Sequence, residues 1–587
     1  MSHHAPRELN DADKAVLGAK VDRPWFFLTI GGLAAIVIAL VISLPTEHGV
    51  ARFAFAYTVG FAFAMAITLG NLFFVIITTL FRAGWCAAIR RVAECYAANI
   101  LTLAVLFIPV LVSVFTPGTL YPWTTPGIHK EGKKIAYHGE PTKLMPHAGE
   151  GDSYRVKKDS HSNAADQRYA DVRLRPAANP ASGSEHTLYA APPAAAAPAE
   201  AHGADHVTPA QPAAHGDTQA TTQDHADHDH AKDDHAKTDG HDDHSGDGHD
   251  AHAADHGDGH GDGHDGGYHV GERHHGHLVV THTAENWGGH NHAAPYFTYK
   301  KGPYLTRPFY VVRWIIYFTL WGLIGGFYYR NSVRQDKTGD PALTNKREWW
   351  APLSVAGFAI TTTLAAFDLI MTIDPVWYST MFGVYFFAGA FTTGICTIIL
   401  TLMTGQRFGY FPAINTEHFH DLGKLLFAFV FFWGYVGFSQ FMLIWYASLP
   451  ETTYWWEIRG VTSSAGAPTS GSAWTKVAWL VLFGHLIFPF AALLSKHVKR
   501  NRKALMAIAI WMLFICWVDL FWITMPALVS PDFLIPIPEI LCAVGCVAVL
   551  VAGALKIAAR ASLTAYNDPR MHESLGLDTS AWAPIHH

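Results

Sequence analysis

Ten apolar runs, most of about 20 residues or more, recur along the chain near 25–44, 53–80, 92–115, 308–329, 350–373, 380–403, 422–447, 474–495, 504–529 and 535–558. A helix of roughly 20 residues crosses the hydrocarbon core of a bilayer. Backbone within lipid must satisfy its own hydrogen bonds, which leaves helices and closed barrels as spanning structures. The runs therefore predict an all-α integral membrane protein with about ten transmembrane helices. Charge content agrees, since only 15% of residues are charged against roughly 25% in soluble domains. The first run follows a hydrophilic stretch and leads into Leu44-Pro45-Thr46-Glu47 without a small-residue cleavage site, so it reads as a retained anchor. A net charge of −6 gives no basic signature for nucleic acid.

The spans divide the chain into an N-terminal segment (1–24), three helices (25–115), a long loop (116–307), seven helices (308–560) and a C-terminal tail (561–587). Lys and Arg in short loops report orientation. Arg82, Arg90, Arg91, Arg330, Arg334, Lys337, Lys346, Arg347, Lys496, Lys499, Arg500, Arg502 and Lys503 all fall on one side. The alternate short loops carry almost no Lys or Arg. This places both termini in the cytoplasm and the long loop outside. Trp349-Trp350, Trp377-Tyr378 and Tyr454-Trp455-Trp456 sit near span ends, as interfacial belts require.

Of the 36 histidines, 21 lie between His202 and His292 in the long loop. Residues 223–265 form an Asp/His/Gly tract with few large apolar side chains, too few to offset the entropy of ordering, so the loop is expected to be largely disordered. Imidazoles such as His225, His228 and His230 bind transition metals. A repeat without fixed geometry offers at most weak, multivalent capture and no specific site, and a solvated spacer or local pH buffer is the favoured reading of the composition. The segments from Trp123 to Tyr137 and from Trp287 to Tyr304 carry aromatics suited to packing on the outer face or on a partner.

Charged groups inside a bilayer are costly and usually face the bundle interior. Near the cytoplasmic side stand Glu94 on the third span and His418, His420, Asp421 and Lys424 leading into the seventh. His485 lies centrally on the eighth. Asp368 and Asp374 near the end of the fifth span, Asp519 on the ninth and Glu539 at the start of the tenth lie toward the outside. These ten residues are the candidates for a proton path or another polar function within the membrane. Asp421 with Lys424, and Arg91 with Glu94, are three apart and share a helix face, so a structural ion pair competes with a relay at both. Glu539, beside Pro536 and Pro538, fits helix-start electrostatics better than a relay.

The six cysteines, Cys86, Cys95, Cys396, Cys516, Cys542 and Cys546, form no CxxC or CxxCH and no cluster-binding set. His485 is the only histidine well inside a span, so paired axial ligands for a membrane haem are lacking. No redox cofactor is expected on this chain. Walker, GxSxG and HExxH motifs are absent as well.

Two long segments carry a resemblance. One runs from Phe367 to Tyr385 (FDLIMTIDPVWYSTMFGVY), the other from His418 to Tyr446 (HFHDLGKLLFAFVFFWGYVGFSQFMLIWY), followed by Ala447-Ser448-Leu449-Pro450-Glu451. Together they resemble the F-type membrane subunits (ActF) of bacterial alternative complex III, a quinol:cytochrome c oxidoreductase, which belong with the NrfD and polysulfide-reductase membrane anchors. The resemblance is strongest over about residues 348–460. It implies a ten-helix subunit of the bacterial inner membrane, built around two four-helix bundles plus two further helices. It also implies a companion NrfD-like membrane subunit, an iron–sulfur subunit and c-type cytochrome subunits, with the clusters and haems on those partners. Asp368, Asp374, His418, His420, Asp421 and Lys424 fall in the matching segments; Glu94, His485, Asp519 and Glu539 rest on burial alone. The resemblance implies a scaffold with a candidate proton path and a candidate quinone contact, while the large Asp/His insert departs from a minimal family member. Two other functions compete: a metal-ion transporter with a His-rich loop, and a purely structural membrane anchor.

Overall fold

The computed structural model describes residues 9–46, 49–117, 119–125, 153–157, 169–176, 186–190, 270–274, 277–282, 298–447, 450–461, 473–528 and 536–577. All belong to one compact unit, Met1–Ala191 with His269–His587. Among them, nine helices are long and apolar enough to cross a membrane: Gly18–Ser43, Gly49–Leu80, Arg307–Thr338, Ala342–Ile373, Phe382–Arg407, Thr416–Ala447, Ala473–Leu494, Arg502–Ala527 and Ile537–Ala558. A bent pair, Arg90–Ala97 and Ile100–Phe115, supplies the tenth as the third span. The membrane-spanning part of the protein is thus all-α, and each apolar run of the sequence corresponds to one of these helices or to the bent pair.

Spans 2 to 5 pack together, and so do spans 6 to 9. Spans 2 and 6 join the two bundles, while span 1 lies along span 10, which itself packs on span 2. Small residues set these contacts, because van der Waals packing rather than the hydrophobic effect drives association in lipid. A Cβ at Gly70 would lie 2.0 Å from the Ala390 carbonyl oxygen, and one at Gly394 would lie 2.6 Å from the Gly70 carbonyl carbon, so two backbones touch there. Gly32 and Gly545 make the same kind of contact between spans 1 and 10. Span 2 is the most enclosed, with nearly every side chain from Phe55 to Thr79 buried. Span 1 instead leaves Phe27, Leu33, Val37 and Val41 exposed, as a lipid-facing helix should.

Three local departures from regular helix matter for the polar groups. The third span breaks between Ala97 and Ile100 and bends by 40°. The eighth contains a π-helical turn, Leu482–Ile487, immediately before Pro489. Pro489 has no N–H to give the His485 carbonyl four residues earlier, which favours a wider turn at that point. The seventh span begins at Thr416, nearly two turns before its apolar run, so His418, His420, Asp421 and Lys424 are on the helix itself.

Most of the long loop lies outside the described residues, including the histidine tract with His225, His228 and His230, so the expectation of disorder there rests on sequence alone. Flanking that tract are five short strands: β1 (Ser153–Lys157), β2 (Tyr169–Pro176), β3 (His186–Ala190), β4 (Val270–His274) and β5 (His277–His282). They pair antiparallel in the order β1-β2-β3-β5-β4. In sequence, too, these flanks differ from the tract, with Val172 and Leu174 alternating with Asp171, Arg173 and Arg175 in a strand period.

Candidate functional site

Three of the candidate acids, Glu94, Asp368 and Glu539, are held by arginine, whereas Asp519 is not. Glu94 belongs to the first group. Arg90 Nε approaches its Oε1 at 3.1 Å and Arg91 Nε its Oε2 at 2.9 Å, while Arg347 Nη1 stands 3.8 Å from Oε1. Arg91 Nη2 also reaches Asp336 Oδ2 at 2.6 Å and Ser332 at 3.0 Å, and its Nη1 donates to the Ser562 carbonyl at 3.0 Å. Asp568, on the C-terminal tail, pairs with Arg90 and with Arg347 Nη2, the latter at 3.3 Å. Three buried arginines therefore face three buried carboxylates, and the network ties spans 3, 4 and 5 to the tail. Burial alone would raise the Asp568 carboxyl, but Arg90 and Arg347 outweigh it and hold the pKa down to about 2.

Asp368 is likewise paired. Arg313, on the fourth span, grips it with Nε to Oδ2 at 2.8 Å and Nη2 to Oδ1 at 2.9 Å, and Tyr317 donates to Oδ2 at 2.9 Å. The Arg313 guanidinium stacks 3.8 Å from the Tyr304 ring centre. This bidentate, fully hydrogen-bonded geometry fixes both partners. Glu539 is buried and meets Arg52 Nε at 2.7 Å, joining spans 10 and 2, so its role includes a long-range ion pair beyond the helix-start effect. Asp374 Oδ1 accepts from the backbone of Val376 at 3.0 Å and of Trp377 at 3.4 Å, shaping the turn before span 6.

The cluster at the start of span 7 is mostly structural. His418 uses Nδ1 toward Asn415 Oδ1 at 2.8 Å and Nε2 toward Ser574 Oγ at 2.9 Å, docking the C-terminal tail. His420 lies 3.5 Å from Glu417, which Arg500 contacts at 2.5 Å, and Asp421 pairs with Lys424 on the shared face that their spacing predicts.

Asp519 differs. It is 4% exposed, and no cation pairs with it among the described residues. Its Oδ1 accepts from the Tyr385 hydroxyl at 2.5 Å. The Tyr385 ring lies 5.4 Å from Trp433, and Trp433 stacks on His485 with ring centres 3.6 Å apart. Cys516, one turn before Asp519, puts Sγ 3.5 Å from His485 Nε2. His485 is fully buried, and its Nδ1 has no hydrogen-bond partner among the described residues. Spans 6, 7, 8 and 9 each contribute to this site, and the π-helical turn carries the imidazole. The arrangement offers a carboxyl, a phenol and an imidazole within one bundle, with apolar and aromatic surroundings. It can accept or pass a proton, or hydrogen-bond a polar headgroup.

The sequence singled out Asp519 and His485 but not Tyr385, Trp433 or Cys516, which join them. Tyr385 and Trp433 lie inside the two distinctive segments, and Cys516 precedes Asp519 by one turn. Arg313 was also missed, although a lone arginine within an apolar run is itself a signal. Asp568 had no signal, because it sits in the polar tail. Among the described residues, no group of three or more His, Cys, Asp or Glu side chains is arranged to hold a metal ion.

The site and fold define a polytopic helical membrane protein with a buried acid–phenol–imidazole cluster in its second bundle. No known protein-family profile matches the chain, and no curated protein matches it in sequence.

Proposed function

We propose that this chain is an integral membrane subunit of a respiratory quinol:cytochrome c oxidoreductase of the alternative complex III type. It would sit in a bacterial inner membrane, termini in the cytoplasm and the long loop outside, beside an NrfD-like companion, an iron–sulfur subunit and c-type cytochromes. The sequence segments Phe367–Tyr385 and His418–Tyr446 support the assignment. The observation that carries it is Asp519: where Glu94, Asp368 and Glu539 are all held by arginine, Asp519 is met by the Tyr385 hydroxyl in a site shared with His485.

Oxidising a quinol releases two electrons and two protons. The electrons leave through partner-borne centres, and the protons need an acceptor within the membrane. Asp519 and His485 are this chain's acceptors, either at a quinol headgroup or along a proton path, with Tyr385 orienting the carboxyl. Affinity purification of the intact protein from its native membrane, with an assay of quinol-driven cytochrome c reduction, tests the assignment. Recovery with iron–sulfur and c-haem subunits and a second multi-span protein supports it. Recovery alone, with bound zinc and no haem spectrum, overturns it in favour of a transporter. In the active complex, Asp519→Asn should lower turnover or coupled proton movement by about 10²-fold, the low end for loss of a general acid–base group, with assembly intact. Unchanged coupling would reduce the chain to an anchor.

A further inference from the structure

A groove of about 810 Å³ opens between spans 3, 4 and 10 at the end of the molecule that carries the basic loops. It exists because three glycines line it. A Cβ at Gly322 would meet only Ile100 at 3.9 Å, and one at Gly326 would come 3.4 Å from the Arg330 guanidinium folded above it. Gly553 leaves room for Asn99 and Thr102, whose polar atoms would lie 2.4 Å from a Cβ there. Asn99 is held in place by donating to the Leu550 carbonyl at 2.8 Å, and it sits at the break in the third span. The broken helix and the glycines together make the cavity.

Its two ends differ in chemistry. Phe318 and Leu101 form apolar walls toward the bilayer interior, and Leu101 is 79% exposed. Arg330 and Arg560 stand at the mouth, both exposed, and neither forms an ion pair among the described residues. The third cation there, Lys556, is already engaged by Asp22 at 2.6 Å and lies over the Trp25 ring. Elsewhere at this end, Arg82, Arg90, Arg91, Arg347, Arg500 and Arg570 all have carboxylate partners. Arg334, Arg407 and Arg502, also without an ion pair among the described residues, do not line this groove, whereas Arg330 and Arg560 stand together at its mouth.

We propose that this groove binds an anionic phospholipid, with its phosphate at Arg330 and Arg560 and its upper acyl chain along Phe318 and Leu101 over Gly322. Basic pockets between helices at the cytoplasmic boundary suit anionic headgroups, and each cation near the surface contributes about fivefold in affinity. A free anion would use only the mouth, and an uncharged quinone would use only the walls. The lipid uses both, and the site stands independently of the respiratory assignment.

The test is titration of delipidated full-length protein in detergent with fluorescent phosphatidylglycerol and, separately, phosphatidylcholine. The wild type should prefer phosphatidylglycerol. Arg330→Gln should weaken it about fivefold and Arg330→Gln/Arg560→Gln about 30-fold, with phosphatidylcholine unchanged. Gly322→Leu, which fills the channel and leaves the charges, should weaken both lipids. The arginine variants alter exposed side chains, so they keep the test decisive if Gly322→Leu does not fold. Equal phosphatidylglycerol affinity in wild type and the double variant overturns the proposal. Complete displacement by inorganic phosphate does so too, because it marks a free-anion site, as does retention of quinone in place of phospholipid.

Discussion

Each of the three buried arginines, Arg90, Arg91 and Arg347, is worth having only while its carboxylates are present, because an ion taken out of water without a partner costs several kcal/mol. Asp568 serves two of the three. Replacing it with alanine should destabilise the folded protein by about 3–5 kcal/mol, the range for breaking a buried pair, seen as a lower melting temperature in detergent. Its pH dependence has a defined direction. The carboxyl falls from its ordinary 3.8 to about 2 on folding, so its stabilisation is complete above pH 4 and fades as pH falls toward 2. The shift amounts to about 2 kcal/mol at 1.36 kcal/mol per pKa unit. Wild-type melting temperature should therefore drop over that window, and Asp568→Asn should show less of the drop. A variant as stable as wild type at pH 7 would show the network to be dispensable. Residue-level roles were only half visible in sequence. A buried acid advertises itself by its apolar neighbours, which is how Asp368 and Asp519 both came forward. Which of them is neutralised depends on Arg313, 55 positions from Asp368, and pairing across such a distance is a property of the packed bundle.

Spans were legible because lipid makes each one announce itself as a long apolar run, and all ten appear. Breaks within them were less so. Pro489 could have signalled the π-helical turn that carries His485, since a proline in a helix always strands one carbonyl. Nothing comparable marks the bend at Asn99, which has no proline and where the Asn99 side chain lies against Gly553. Packing of helix on helix was legible only as scattered glycines, whose partners the sequence does not name. Gly70 shows the consequence. With the Ala390 carbonyl oxygen 2.0 Å from where its Cβ would be, Gly70→Leu must push spans 2 and 6 apart. Overpacking commonly costs about 1–3 kcal/mol, and a backbone-on-backbone contact stands at the upper end. Gly409, at φ +83° in an open turn with nothing near its Cβ position, is a useful control for conformation without contact. Thermal unfolding should rank Gly70→Leu well below Gly409→Asn; the reverse order would mean that the two bundles are joined elsewhere.

At the scale of the whole molecule, ten crossings, counting the bent pair as one, would fix one relation that no single element does: both termini on one side and the loop between spans 3 and 4 on the other. In the proposed orientation the basic end faces the cytoplasm, where an excess of Lys and Arg is retained. The buried networks fit this polarity. The arginine–carboxylate set binding Glu94 and Asp568 lies at the basic end, and the C-terminal tail is held there by His418 and Ser574. A tail anchored in this way cannot cross to the opposite face without dismantling the network. Cysteine labelling tests the arrangement directly, since all six native cysteines are buried and react slowly with a bulky, membrane-impermeant maleimide. Ser160→Cys in the long loop should label in intact spheroplasts, and Ser580→Cys in the tail only after the membrane is opened. Labelling of Ser580→Cys in sealed spheroplasts would invert the topology. It would also move the Arg330/Arg560 groove to the outer leaflet, and with it the composition of lipid available to that site.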